Sequence, residues 1–412
     1  MQEIEAESKK NWYRGIPLYI KILIALILGA ILGIYGKQMG FDSTKLKWIS
    51  DLVLRMLRLL ATPLIFSAVL GSILTANVTG KKAGRLMALL MGNSIIAILI
   101  GLLVANIMRP GDHVPVFRDA TKVVDKEPYN IWGHLYDSIP TDFITPFVKN
   151  DIISVIILAI AIGFAMRILL HSAAEQLVRS VKALQHVMNA VFQLMVTILK
   201  WVFELVPLAV FAVVAATVAS KGLGSLLSMG YWILSVVVAL VLMMIVYLIR
   251  LMIQSKIKPA QFLKGGSDAF AMAFSTASSA ATLPVTYRCA TEKLGVRDDN
   301  ANLGIMVGGT FNHDGTALYE AMAALFIAQG IGLHLPFQQQ VVVVVMAMIA
   351  SVGAAGIPEA GLVTMIAVFK AVDLPIECIP ILLTVDWFLD RCRTTINVMG
   401  DMTSTCILDS KD

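Results

Sequence analysis

The chain has 412 residues, of which 58% are hydrophobic and only 15% charged, with a mean hydropathy of +0.79. Soluble domains carry about 25% charged residues, so this composition excludes an ordinary water-soluble protein and points to one solvated by lipid. The net charge of +5 is dispersed over short loops between apolar runs, which excludes the concentrated basic face of a nucleic-acid binder.

In chain order, six apolar runs approach or exceed the roughly 20 residues a helix needs to cross the hydrocarbon core. They cover 16–35, 52–76, 86–108, 152–170, 187–218 and 232–251. The first is too long for a signal-peptide core and is expected to be retained as a span. Lys9, Lys10 and Arg14 precede the first run, and Lys81, Lys82 and Arg85 follow the second. Arg167 and Arg179 flank the turn after the fourth, and Arg250, Lys256 and Lys258 follow the sixth. Alternating spans put all of these on one side, which the positive-inside rule makes cytoplasmic, together with both termini. Residues 109–151 are polar, contain Pro110, Pro115, Pro128, Pro140 and Pro146, and are expected outside. The spans up to Val218 hold almost no intramembrane charge and read as a scaffold or oligomer interface. Cys289, Cys378, Cys392 and Cys406 form no CxxC pair and read as small buried hydrophobes.

Beyond Lys256 the pattern changes. Residues 271–284 and 350–361 each place apolar arms around a Ser/Gly/Ala-rich tip that is followed by a proline. Pro removes an amide and Gly loosens a helix, so both tips are expected to be non-helical. Unwound backbone at membrane depth survives only inside protein or against a wet cavity. Two such segments suggest an inverted repeat with a binding site between the tips; the alternative is two interrupted ordinary spans.

The run 303–328 is broken by Asn312-His313-Asp314-Gly315-Thr316. Carbonyls freed there, with Asp314 and Asn312, could bind a hard cation through oxygen. Glu320 follows inside the apolar stretch and could carry a proton or make a static hydrogen bond. His313 titrates near neutrality when unperturbed, although a neutral, hydrogen-bonded core histidine is the blander reading.

The last apolar helix, 376–408, carries Asp386, Asp390, Arg391, Arg393, Thr394, Asn397 and Asp401. At about 100° per residue, all but Arg391 fall within an arc of about 100°. Each intramembrane charge costs roughly 2.5–3.5 kcal/mol on insertion scales, so the stripe must face protein, water or a ligand. Arg offers a planar fork for a carboxylate, an Asp one turn away can take an ammonium, and Asn397 and Thr394 can add neutral hydrogen bonds. The set suits a zwitterion with a second carboxylate. The alternative is a salt-bridge network that pins the helix. No nucleophile–base pair, metal cluster or phosphate loop suggests an enzyme.

Four motifs carry a resemblance: SSAATLP at 278–284, NHDGTALYEA at 312–321, ASVGAAGIPEAG at 350–361 and DWFLDRCRTTINVMGD at 386–401. On these the chain resembles the glutamate transporter family, the dicarboxylate amino acid:cation symporters. A member of that family is among the examples on which the inverted-repeat rule rests. The resemblance implies an all-α integral membrane fold of eight transmembrane helices plus two re-entrant helical hairpins, assembled as a homotrimer in the lipid bilayer. Residues 1–80 would hold scaffold helices one and two, 81–111 helix three, and 112–224 the external loop and scaffold helices four and five. Residues 225–412 would hold helix six, the first hairpin (259–292), helix seven (297–330), the second hairpin (337–372) and helix eight (375–408). Helix three would join this last group in a transport domain that moves as an elevator, with the second hairpin as outer gate.

The resemblance also implies residue roles. Arg393 would take a side-chain carboxylate and Asp390 an amino group. Asn397 with Ser278 and Ser279 would hold the main carboxylate, and Thr316, Thr394, Gly356 and Ile357 would complete the pocket. One sodium site would use Gly308, Asn397 and Asp401, and a second the broken span with the second hairpin near Ser351. A third would use Asp314 and Asn312 with the third span, where the aligned positions are Leu90, Asn93 and Ser94. The family's tyrosine and one threonine are missing there, and its Asn-Met-Asp-Gly-Thr methionine is His313. Glu320 occupies the position of a proton-carrying glutamate. Ala280 replaces a frequent third serine, and Arg391 lies on the eighth span, not at the first hairpin (Ala277), where it would tune rate. The implied activity is symport of L-glutamate or L-aspartate with protons and/or sodium, with no organic cofactor; potassium counter-transport stays open. A carrier of plain dicarboxylates and a substrate-gated anion channel are the competing readings. The short tails, and the absence of a sequon from the external loops, suggest a bacterial inner membrane.

Overall fold

The computed structural model of the chain describes residues 16–36, 40–75, 80–114, 136, 139–172, 174–353 and 360–410. All regular structure among them is helical. The long helices are α1 (Leu18–Tyr35), α2 (Lys47–Thr75), α3 (Gly80–Met108), α4 (Ile152–Leu170), α5 (Glu175–Lys221) and α6 (Gly224–Gln254). The remainder are α7 (Pro259–Thr276), α8 (Ser279–Arg288), α9 (Asp298–Phe311), α10 (Asp314–Gly330), α11 (Phe337–Gly353), α12 (Ala360–Ala371) and α13 (Ile379–Ser410).

Six helices, α1 to α6, are long and apolar enough to cross a bilayer. Their outward faces carry large apolar side chains, including Leu59, Ile107, Ile168, Trp201 and Ile253. Water would penalise such a surface; lipid does not. α2, α3 and α6 begin five to eight residues before the expected 52, 86 and 232, and α5 departs furthest. It begins at Glu175, a dozen residues before the expected 187, because its first turns are helical but too polar to register as a span.

The helices pack in two sets. α5 packs along α1 and α2, and α4 packs on α2. The other set surrounds α13, which touches α3, α6, α7, α8, α9 and α10. α2 meets the second set through α11 and α12, and α5 meets it through α13.

The breaks are narrower than expected. α7 and α8 pack against each other and are separated only by Ala277, left-handed at φ 50°, and by extended Ser278. The hydroxyl of Ser278 accepts from the Ala281 amide and so caps α8. Pro284 sits inside α8. The non-helical tip expected within 271–284 is therefore narrowed to residues 277–278, because a good N-cap starts a new helix at once. Likewise the 312–316 break is confined to extended Asn312 and non-helical His313, while Asp314, Gly315 and Thr316 form the first turn of α10. α11 and α12 also pack together. Residues 354–359 between them, with the expected contacts Gly356 and Ile357, lie outside the described residues.

Candidate functional site

α13 builds the site from its own periodicity. Asp386, Asp390, Arg393, Thr394, Asn397 and Asp401 are all buried, whereas Arg391, off the stripe, is half-buried. The break between α9 and α10 brings Asn312, His313, Asp314, Thr316 and Glu320 to the same core, all buried. Close approach is built into the glycines. A Cβ on Gly315 would stand 2.6 Å from the Arg393 carbonyl oxygen. A Cβ on Gly400 would stand 2.5 Å from the Tyr247 hydroxyl and 2.9 Å from Asp314 Oδ2.

The first half of the site centres on Arg393, which is wholly buried. Its Nη2 lies 3.0 Å from Asp386 Oδ1 and 2.8 Å from Asp390 Oδ1. The guanidinium lies 4.0 Å from the ring centroid of Tyr319, which also packs against Trp232 with 5.7 Å between ring centroids. Two acids and a π face stabilise the cation. Its Nε and Nη1 are buried and make no hydrogen bond. Ser278, Ser279, Thr316 and Thr394 are buried as well. Asn397 accepts from the Gly315 amide at 2.8 Å through Oδ1, and its Nδ2 donates to Thr316 Oγ1 at 3.4 Å. Glu320 Oε1 accepts from the hydroxyl of Thr364 on α12, while its Oε2 is buried with no hydrogen bond.

The second half surrounds Asp314. Ser94 of α3 donates to Oδ1 at 2.7 Å and Tyr247 of α6 donates to Oδ2 at 2.5 Å. Asp401 Oδ1 accepts from Asn312 Nδ2 at 3.1 Å, and Gly308 lies directly on the Asp401 carboxylate. His313 Nδ1 bonds the Ser351 carbonyl at 2.9 Å, so Nδ1 is the donor, and Nε2 is buried and unbonded.

Not every expected grouping forms. Asn93 turns to Ser404 of α13 at 3.0 Å and not to Asp314. Leu90 packs in an apolar cluster with Leu86, Val307 and Leu408. Asn397 is engaged with Gly315 and Thr316, whereas Gly308 and Asp401 sit together with Asn312. Oxygen donors for a hard cation therefore remain around Asp401, with the unbonded Oδ1 atoms of Asn312 and Asn93 in the same polar network. Both oxygens of Asp314 already accept hydrogen bonds from hydroxyls.

Sequence reading missed Tyr247, Thr364 and the partner of Arg391. A lone tyrosine or threonine in an apolar run carries no spacing signal. Arg391 Nη1 donates to the carbonyls of Phe274 and Ser275 at 2.8 and 2.5 Å, capping α7. Its guanidinium also lies 4.6 Å from the ring centroid of Tyr19 on α1.

A family model for the sodium:dicarboxylate symporter family matches residues 18–411. An excitatory amino acid transporter of Caenorhabditis elegans is 30% identical, over 97% of this chain and 88% of the relative. A C4-dicarboxylate transport protein of Rhizobium leguminosarum is 29% identical, over 98% of this chain and 90% of the relative. An excitatory amino acid transporter of Onchocerca volvulus is 29% identical, over 95% and 89%. With its several lipid-compatible helices and a match along almost its whole length, this multi-pass membrane chain belongs to the sodium:dicarboxylate symporter family.

Proposed function

We propose that the chain is a secondary active symporter of acidic amino acids, L-glutamate or L-aspartate, coupled to protons and/or sodium. The observation that carries this is Arg393: a buried cation held from one side by Asp386 and Asp390 through Nη2, with Nε and Nη1 uncommitted. An uncommitted N–H of a buried guanidinium is a charge-assisted donor for an incoming carboxylate. Asp390, one turn away, offers a carboxylate to an ammonium, and Ser278, Ser279, Thr316, Thr394 and Asn397 surround the pair with neutral hydrogen-bonding groups. Gly356 and Ile357 would close the pocket from the segment between α11 and α12.

In this reading α1, α2, α4 and α5 are the scaffold, assembled as a homotrimer in a bacterial inner membrane with both termini cytoplasmic. α3 and α6 to α13 form the moving domain, with α7–α8 and α11–α12 as re-entrant hairpins. The two-set packing of the helices supports this division. Glu320, beside Thr364 of the second hairpin, is the proton carrier. Asp401 with Gly308 and Asn312 is the candidate sodium site.

A second reading, a carrier of C4-dicarboxylates, is favoured by the pairing of Asp390 with Arg393 at 2.8 Å, which competes with an ammonium. The relatives with that printed name support it too. Radiolabelled uptake into proteoliposomes, under a proton or a sodium gradient imposed separately, separates the two. Concentrative aspartate or glutamate uptake that succinate does not displace supports the amino acid reading. Succinate uptake without aspartate uptake replaces it with the second.

A further inference from the structure

We propose that the cavity between α2 and α4 on one side and α3 and α11 on the other binds one acyl chain of a membrane lipid, which then lies between the two helix sets. The cavity has a volume of about 330 Å³. Its walls come from different sets. α2 and α4 pack on each other so closely that a Cβ on Gly163 would stand 3.0 Å from Ile73, and Ile73 and Ile160 line that wall. α3 and α11 also pack on each other and present Leu90 and Ile349 from the opposite side.

The chemistry of the lining selects the occupant. Among the described residues, Ser94 and Ser351 are the only polar side chains on it. Both hydroxyl protons are committed, one to Asp314 Oδ1 at 2.7 Å and the other to the Met348 carbonyl at 2.8 Å. The space would hold about ten waters at about 30 Å³ each, and these would share two hydroxyl oxygens, whereas a buried water needs about two to four polar partners. Apolar cavities of this kind exclude water and admit apolar guests. In a bilayer the abundant apolar guest is the lipid chain, and the lining runs out onto the lipid-facing surface: Met91 and Phe164 belong to it and are both exposed. Such a chain passes from one apolar phase to another, so what holds it is van der Waals contact with walls that a void would leave unpaired. Met87, Met91 and Met348 give those walls side chains that adapt to a flexible guest. The same lining reaches the polar core, because Ser94 donates to Asp314 and the Ser351 carbonyl bonds His313 Nδ1. A chain in the cavity therefore packs against two residues that fix the second half of the site.

The inference goes beyond the symport reading, and its test needs no transport. The full-length protein is reconstituted into phosphatidylcholine vesicles that contain a phosphatidylcholine with a diazirine on one acyl chain. Light turns the diazirine into a carbene that inserts into whatever lies beside it, and the labelled positions are read by peptide mass spectrometry. Label is expected on the inner wall, at buried Leu90 and at Ile349, as well as on the outward-facing Ile107 and Ile253. Ile160→Trp fills the cavity from α4 and is expected to lose the inner-wall label while the outer label stays. Val69→Phe, a smaller filling from α2, is expected to reduce the inner-wall label and carries the comparison if Ile160→Trp does not fold. The proposal is overturned if the outer faces are labelled and the inner wall is not, as an empty cavity or one covered by a second copy of the chain would give. It is overturned equally if the inner-wall label survives filling unchanged. Failure of aspartate uptake would strike the transport reading and leave this result untouched.

Discussion

The two halves of α13 solve the same problem by different means. Both bury two carboxylates on one helix stripe and its neighbours: Asp386 and Asp390 in the first half, Asp401 with Asp314 in the second. The first half meets them with a full ion pair to Arg393. The second meets them with neutral donors, Tyr247, Ser94 and Asn312. An ion pair whose cation keeps spare donors invites an anion. Carboxylates among hydroxyls and unbonded amide oxygens invite a cation. On the proposed reading, the difference divides one helix into a cargo end and a coupling end.

The comparison breaks most completely at Arg393. Arg393→Cys leaves Asp386 and Asp390 without a buried cation and any substrate carboxylate without a partner, a loss of about 2–5 kcal/mol. Aspartate uptake in proteoliposomes is expected to fall by at least about 30-fold; normal uptake would move the cargo site elsewhere. Also in the first half, Glu320→Gln removes a proton site while preserving a side-chain oxygen that can accept from Thr364. Net uptake is expected to lose its dependence on an inward proton gradient while substrate exchange persists, and an unchanged pH profile takes Glu320 out of the mechanism. Gly400→Ala sharpens the second half. The new methyl forces Tyr247 and Asp314 apart, and overpacking of this kind costs about 1–3 kcal/mol. A lowered unfolding temperature is expected, whereas the same substitution at exposed Gly84 changes little. Smallest is Ala277→Gly, which removes a left-handed alanine and is expected to stabilise by about 1 kcal/mol, read as a small rise in the same transition.

How much was legible follows from where the signals lie. The α13 stripe was readable because charges in an apolar helix are costly and their spacing fixes a face. The α9–α10 break was readable from Asn312-His313-Asp314-Gly315, although not that helix resumes at Asp314. The first turns of α5 escaped a hydropathy window because their residues are polar. Tyr247 looks like core, and only the packing of α6 against α10, α13 and α3 brings its hydroxyl to Asp314. The resemblance groups Asn397 with Asp401, but the Asn397 side chain accepts from the Gly315 amide at the start of α10.

Arg391 holds the carbonyl end of α7 with one edge of its guanidinium and lies over Tyr19 of α1 with its face. If α13 travels past α1, that ring and that cation must part on every cycle. A cation–π contact is worth about 0.5–2 kcal/mol, which is about 2- to 30-fold in a rate. Turnover can then be set by friction at a point the cargo never touches, and a chain of this architecture could be made faster or slower without any change in what it carries.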